Sequence, residues 1–236
     1  MEIANLSIGV ALVVGLIFPV IAILEGKKTH QLLLTQPDKK PYVFRLTAIQ
    51  LIVLSIVSLL PILFGHFSLN DVGLGFVWQP FYIFLLFGIC LLVWWLLGKL
   101  SLNSESAEKF LSQSERIKFL LPTNQREYKI MAVVSFIAGV CEEIVYRGFL
   151  FFFLNSYLPL LPALLLANLP FALAHLTTTG LKNTIQAFVL GLIFSGAYLL
   201  TGSLWLSILL HILVDLYSTT LSYKANKSLK NVSINN

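Results

Sequence analysis

Charge is what this sequence has least of. Only 11% of its 236 residues are Asp, Glu, Lys or Arg, less than half of the roughly 25% usual in soluble domains. Disordered chains are polar and charged, so disorder is excluded. A water-soluble single core is set aside as well, because so few polar groups could not cover its surface. Cysteine is nearly missing: Cys90 and Cys141 both sit in apolar runs, and no disulfide framework follows from them. No internal repeat is visible, and there is no His-Glu-x-x-His run of the kind that builds a zinc site on one helix. Apolar side chains are what is abundant, with 57% hydrophobic residues and a mean hydropathy of +0.85. The class that remains is a polytopic membrane protein.

A membrane-crossing helix needs roughly 20 mostly apolar residues. Seven windows qualify: Leu6–Leu24, Leu46–Phe64, Trp78–Gly98, Ile130–Phe153, Leu158–Leu176, Thr184–Leu200 and Ser203–Leu221. The expected fold is all-α, with about seven transmembrane helices. Glu2 precedes the first window, and Glu25, Gly26, Lys27 and Lys28 follow it. A secretory signal carries its positive charge on the other side, so this window reads as an uncleaved anchor with its N-terminus outside.

The basic residues test that orientation. Five lie after the first window, six after the third, Lys182 after the fifth, and Lys224, Lys227 and Lys230 after the seventh. The connections after the second, fourth and sixth windows hold none. Fifteen of the 16 Lys and Arg residues therefore fall on alternate connections, and the positive-inside rule makes the chain N-out, C-in. The pI near 9.2 is charge beside a lipid bilayer, which leaves nucleic acid without support as a partner. Residues 1–98 form three helices, 99–129 a cytoplasmic linker, 130–222 a four-helix core, and 223–236 a short loose tail. Twelve Lys against four Arg and the Asn-rich tail point to a multi-pass protein of a bacterial plasma membrane.

The sixteenth basic residue, Arg147, lies inside the fourth window with Glu142 and Glu143, and Asp215 lies inside the seventh. A charge at mid-bilayer costs roughly 2.5–3.5 kcal/mol or more. His175 and His211 join them, so every deep ionisable group falls in three of the last four spans. At about 100° per residue, Glu143 and Arg147 share a helix face and can pair as i,i+4 neighbours. Glu142 lies about 140° from Arg147 on the same geometry and is left without its own cation, as suits a general base or acid. His211 and Asp215 are again four apart, as are Phe171 and His175, with Pro170 loosening the backbone beside them.

These residues resemble a known family. Cys-Glu-Glu-Ile-Val-Tyr-Arg-Gly at 141–148 is similar to the Glu-Glu-x-x-x-Arg signature of the CAAX protease and bacteriocin-processing family, also called the Abi family. Phe171-Ala-Leu-Ala-His175 is similar to its Phe-x-x-x-His motif, and His211-Ile-Leu-Val-Asp215 to its third motif, His followed four residues later by Asn or Asp. The resemblance covers roughly residues 130–220. It implies an all-helical intramembrane endopeptidase that cuts a membrane-associated peptide or protein tail. It implies that Glu142 and His175 activate water, that His211 and residue 215 stabilise the oxyanion, and that Glu143 and Arg147 brace the helix, with Phe171 and Tyr146 lining the site.

An ionised Asp215 would repel an oxyanion. It is therefore expected to be protonated, to orient His211, or to be a metal ligand. In the last case Glu142, His175, His211 and Asp215 are the candidate ligands of a Zn2+ ion. Plainer readings stand beside these: a structural ion pair for Glu143 and Arg147, and an interhelical polar clamp for His211 and Asp215. His30 and His66 read as solvated loop residues. Ser195-Gly196 offers a weak serine-protease reading, but Ala187, Gly191 and Ser195 form a small-residue stripe suited to close packing. The alternative from another class is a non-catalytic immunity or scaffold protein or a proton-coupled transporter, since intramembrane Glu, His and Asp also build proton relays.

Overall fold

The structure, a computed structural model, describes residues 2–75, 80–99 and 102–235, and all its regular elements are helical. Helix α1 (Glu2–Leu12) passes through a π turn (Val13–Ile17) into α2 (Phe18–Thr35). After one 3-10 turn, α3 (Lys40–Leu63) begins with Pro41 in its first turn, where a missing N–H costs nothing. Then come α4 (Pro80–Lys99), α5 (Ser104–Gln113), α6 (Gln125–Glu142), a π stretch (Glu143–Leu150) and α7 (Phe151–Asn155). The chain closes with α8 (Leu160–Leu173), the short α9 (Leu176–Thr179), α10 (Leu181–Thr201) and α11 (Leu204–Asn235). Asn103 and Asn124 cap α5 and α6 by accepting hydrogen bonds from Ser106 N and Glu127 N. Gly202, at φ +66°, ends α10 in the left-handed conformation that a side chain disfavours.

Among the described residues, four helices are long and apolar enough to cross a membrane: Asn5–Thr35, Pro37–Leu63, Leu181–Thr201 and Leu204–Asn231. Seven were expected. Phe84–Leu97 and Leu160–Leu173 are apolar but shorter, and the expected start of the third span, Trp78, lies outside the described residues. The window Ile130–Phe153 falls on the unbroken helical run through α6, the π stretch and α7, where Glu142, Glu143 and Arg147 lower its apolar character. Large apolar side chains face outward, including Leu16, Leu63, Phe84, Leu161 and Leu200. Soluble monomers rarely expose such surfaces; a lipid-facing protein does.

The connections gather at two ends. At one end Lys40 Nζ donates to Leu121 O at 2.9 Å and pairs with Glu127 Oε2 at 3.2 Å. There too Asn226 Nδ2 donates to Pro122 O at 3.1 Å, Ser228 Oγ to Leu102 O at 3.2 Å, and Lys224 Nζ to Leu97 O at 3.1 Å. At the other end Ser7 Oγ and His66 Nδ1 lie 3.0 Å apart, and Leu204 N donates to Gly73 O at 2.8 Å. The basic connections thus meet one another, and those without basic residues meet the start of the chain.

Three expectations are corrected. The residues after Leu24 are not a loop, because α2 continues to Thr35 and Lys40 is buried. The tail is not loose: α11 runs to Asn235, and Ala225 packs with Ala107, Leu111 and Leu121. Neither histidine is simply solvated, since His30 packs its ring on Phe119 and His66 bonds Ser7.

Candidate active site

The π stretch brings the site together. An α-helix closes N–H to the carbonyl four residues back; here Phe151 N–H reaches Tyr146 O, five back, the wider turn often found at functional sites. Glu143 and Arg147 lie within it, both almost fully buried, with Arg147 Nη1 donating to Glu143 Oε1 at 3.0 Å. The other guanidinium nitrogen, Nη2, donates to Asn168 Oδ1 at 2.8 Å. Asn168 Nδ2 in turn donates to Leu164 O at 2.8 Å and to Ser195 Oγ at 3.0 Å, while the Ser195 hydroxyl donates to Gly191 O at 2.9 Å. The guanidinium lies over the Phe171 ring, 4.5 Å from its centroid, a cation–π contact strengthened by desolvation.

His211 is the hub. Its Nδ1 lies 2.8 Å from Glu143 Oε1, and its Nε2 lies 3.5 Å from Glu142 Oε2 and 3.9 Å from Asp215 Oδ2. Phe194 stacks on the ring at 4.8 Å, and Phe171 meets it edge-on at 5.9 Å. Helical periodicity had separated the two glutamates; the structure instead sets them on opposite nitrogens of one imidazole. His175 Nδ1 lies 2.9 Å from Phe171 O. Phe171 also packs edge-on against Tyr146 at 5.5 Å. The Tyr146 hydroxyl, Glu143 Oε2 and Arg147 Nε are buried with no hydrogen-bond partner among the described residues.

Burial divides the cluster. Glu143 and Arg147 are closed off, whereas the side chains of Glu142 and Asp215 are 14% and 36% exposed. Protonation follows from the contacts. Glu143 Oε1 accepts from Arg147; with His211 Nδ1 as donor the same oxygen accepts from the imidazole as well. A bare lone pair on Nε2 would face two carboxylates, so a proton sits on Nε2 or on one of those acids. This is a coupled acid–base group.

Residues 124–217 match the family model described as Type II CAAX prenyl endopeptidase Rce1-like. This segment is similar to the CAAX-protease superfamily. The match spans less than half of the 236 residues and does not single out the bacteriocin-processing branch expected from the motifs. No curated protein and no solved structure matches the chain. All of the converging groups named above lie within the CAAX-protease-like segment.

The zinc reading fares differently. Among the described residues, no three His, Cys, Asp or Glu side chains are grouped as a metal ion requires. His211 turns Nδ1 to Glu143 and His175 turns Nδ1 to a backbone carbonyl, contacts that metal-binding histidines also make through the nitrogen that does not hold the metal, so they do not count against one.

Asn168 and Phe194 were missed from the sequence, and Ser195 was read as packing alone. The signal for Asn168 was present: an amide within an apolar span, three and seven residues before Phe171 and His175 and so on their face.

Proposed function

We propose that the chain is an intramembrane endopeptidase acting on a membrane-associated peptide or protein tail. The observation that carries this reading is the meeting of Glu142, Glu143, Asp215 and His211 at the partly open edge of the buried cluster. A purely structural ion pair needs none of Glu142, Asp215 or the second imidazole nitrogen. Glu142 takes a proton from a water molecule as the water oxygen bonds to the scissile carbonyl carbon. His175 helps hold that water: with its Nδ1–H given to Phe171 O, the neutral ring carries its lone pair on Nε2. The carbonyl oxygen becomes an oxyanion and meets the His211 Nε2–H. Collapse of the intermediate breaks the C–N bond, and the leaving amine takes the proton that Glu142 accepted.

Asp215 acts through His211, holding its imidazolium charged, which answers the repulsion that an ionised Asp215 would exert on the oxyanion itself. Glu143, Arg147 and Asn168 position the ring. We place the chain across the membrane seven times, N-out and C-in. The clustering of the basic connections at one end supports this topology.

Glu142→Gln keeps the size and removes the base. Purified wild type and variant, reconstituted in proteoliposomes with a membrane-derived peptide mixture, are compared by mass spectrometry. New peptide ends are expected from wild type, reduced about 10²–10⁴-fold in the variant at an unchanged melting temperature. Equal cleavage by both folded proteins would remove Glu142 from the chemistry, and equal spectra without cleavage would favour the non-catalytic scaffold.

A further inference from the structure

At the basic end of the bundle an open cavity of about 480 Å³ lies between α2, the 3-10 turn before Leu121 and the α9–α10 connection. Lys27, His30, Gln31, Arg116 and Thr177 give its lining polar groups, and Leu176 and Leu181 give it apolar ones. Among the described residues, no acidic side chain lines it. The acids nearest in sequence are engaged elsewhere: Glu25 accepts from Gln50 at 2.8 Å, and Glu115 pairs with Lys118 at 3.3 Å. The Arg116 side chain packs against Gly180, whose φ of +85° is a conformation that residues with a Cβ rarely adopt. His30 is held by Phe119. The Thr177 hydroxyl is a buried polar atom with no hydrogen-bond partner among the described residues.

Depth identifies the ligand. The first apolar window ends at Leu24, so Lys27 lies about 4.5 Å beyond it along the helix at 1.5 Å per residue. The headgroup layer is roughly 5–7 Å thick on each side of the hydrocarbon core. The cations therefore stand at the level of lipid phosphates, with two leucines also lining the cavity.

We propose that this cavity binds the phosphate headgroup of an anionic membrane lipid. Lys27 and Arg116 pair with the phosphate, and Leu176 and Leu181 lie against the start of an acyl chain. Basic pockets between helices at this face of a membrane bind such headgroups, and a guanidinium matches phosphate geometry in a fork. The site is independent of the peptidase reading, although Leu176 and Thr177 directly follow His175, so an occupied site would also brace the segment that carries it.

The test titrates purified protein in neutral detergent with phosphatidylglycerol, phosphatidylcholine or inorganic phosphate and follows the melting temperature. The lipid is also counted by native mass spectrometry. Phosphatidylglycerol at saturation is expected to raise the melting temperature of wild type by roughly 5 °C or more, with one lipid retained. The other two ligands should have little effect. The double variant Lys27→Gln/Arg116→Gln should lose the response, while Lys109→Gln/Lys129→Gln, which removes the same charge away from the cavity, should keep it. Equal stabilisation of all three proteins would overturn the proposal in favour of diffuse attraction. Stabilisation by inorganic phosphate alone would make the cavity a free-anion site. Stabilisation by a short apolar peptide with a free carboxylate, and not by its amide or by the lipid, would reassign the cavity to a substrate tail. Should the double variant fail to fold, loss of the wild-type preference for phosphatidylglycerol over phosphatidylcholine would overturn it equally.

Discussion

Arg147 shows how one side chain reads differently alone and in place. Its i,i+4 spacing from Glu143 made the pair legible, but the second half of the fork, on Asn168, needed a different helix to be in position. Removing one member of a buried pair strands the other charge, which costs about 3–5 kcal/mol. Arg147→Met is therefore expected to lower the stability of the detergent-solubilised protein by that order, measured by chemical unfolding. A loss below about 1 kcal/mol, the scale of a surface pair, would mean that Glu143 finds another partner. Glu142 is the contrasting case, partly open and meeting His211. Its replacement by Gln should move activity and leave stability alone.

At the scale of elements, the π stretch and the close helix contacts decide what the residues can do. Gly191 illustrates this: a Cβ there would run into Asn168 Oδ1 and lie 2.6 Å from Arg147 Nη2. The small-residue stripe Ala187, Gly191, Ser195 was visible as a packing device, yet the structure shows that its glycine clears room for a buried polar network. Gly191→Ala should destabilise by about 1–3 kcal/mol, the usual range for overpacking, against the small gain Ala would bring to an exposed helix. Melting in detergent checks the sign: a more stable variant would show that the network has slack. Helix ends were the least legible feature. Polarity after Leu24 suggested a loop, but Glu and Lys are good helix formers outside the membrane, and α2 stops only at Gln36 before Pro37.

At the scale of the whole molecule, the buried Lys40 ties the α2–α3 connection to the start of α6 through Leu121 and Glu127. Glu127 lies outside the expected span Ile130–Phe153. Burial pushes its carboxyl up, but the Thr123 backbone N–H and the Lys40 ammonium outweigh that and hold it below its ordinary 4.5. A depressed pKa contributes stability that is present above the unfolded value and is lost as pH falls through the folded one. Glu127→Gln should therefore lower the melting temperature at pH 7. The gap from wild type should shrink below about pH 4.5 and close beneath the folded pKa. A gap that stays constant with pH would assign the effect to packing instead.

Composition and the placement of 15 basic residues on alternate connections determined the membrane class, the all-helical fold and which connections share an end. Hydrophobicity and interfacial charge are properties of local chain segments, so a linear reading captures them. Two of the three motifs likewise named the ionisable residues that meet around His211: Glu142, Glu143, Arg147 and Asp215. Only the tertiary structure decided how they meet: both glutamates on one imidazole, Asn168 completing the Arg147 fork, and no metal-like grouping among the described residues. Those facts depend on the π stretch that carries Glu143 and Arg147 and on contacts between residues 20 to 70 positions apart. No local period encodes such contacts, because they exist only once the helices have packed.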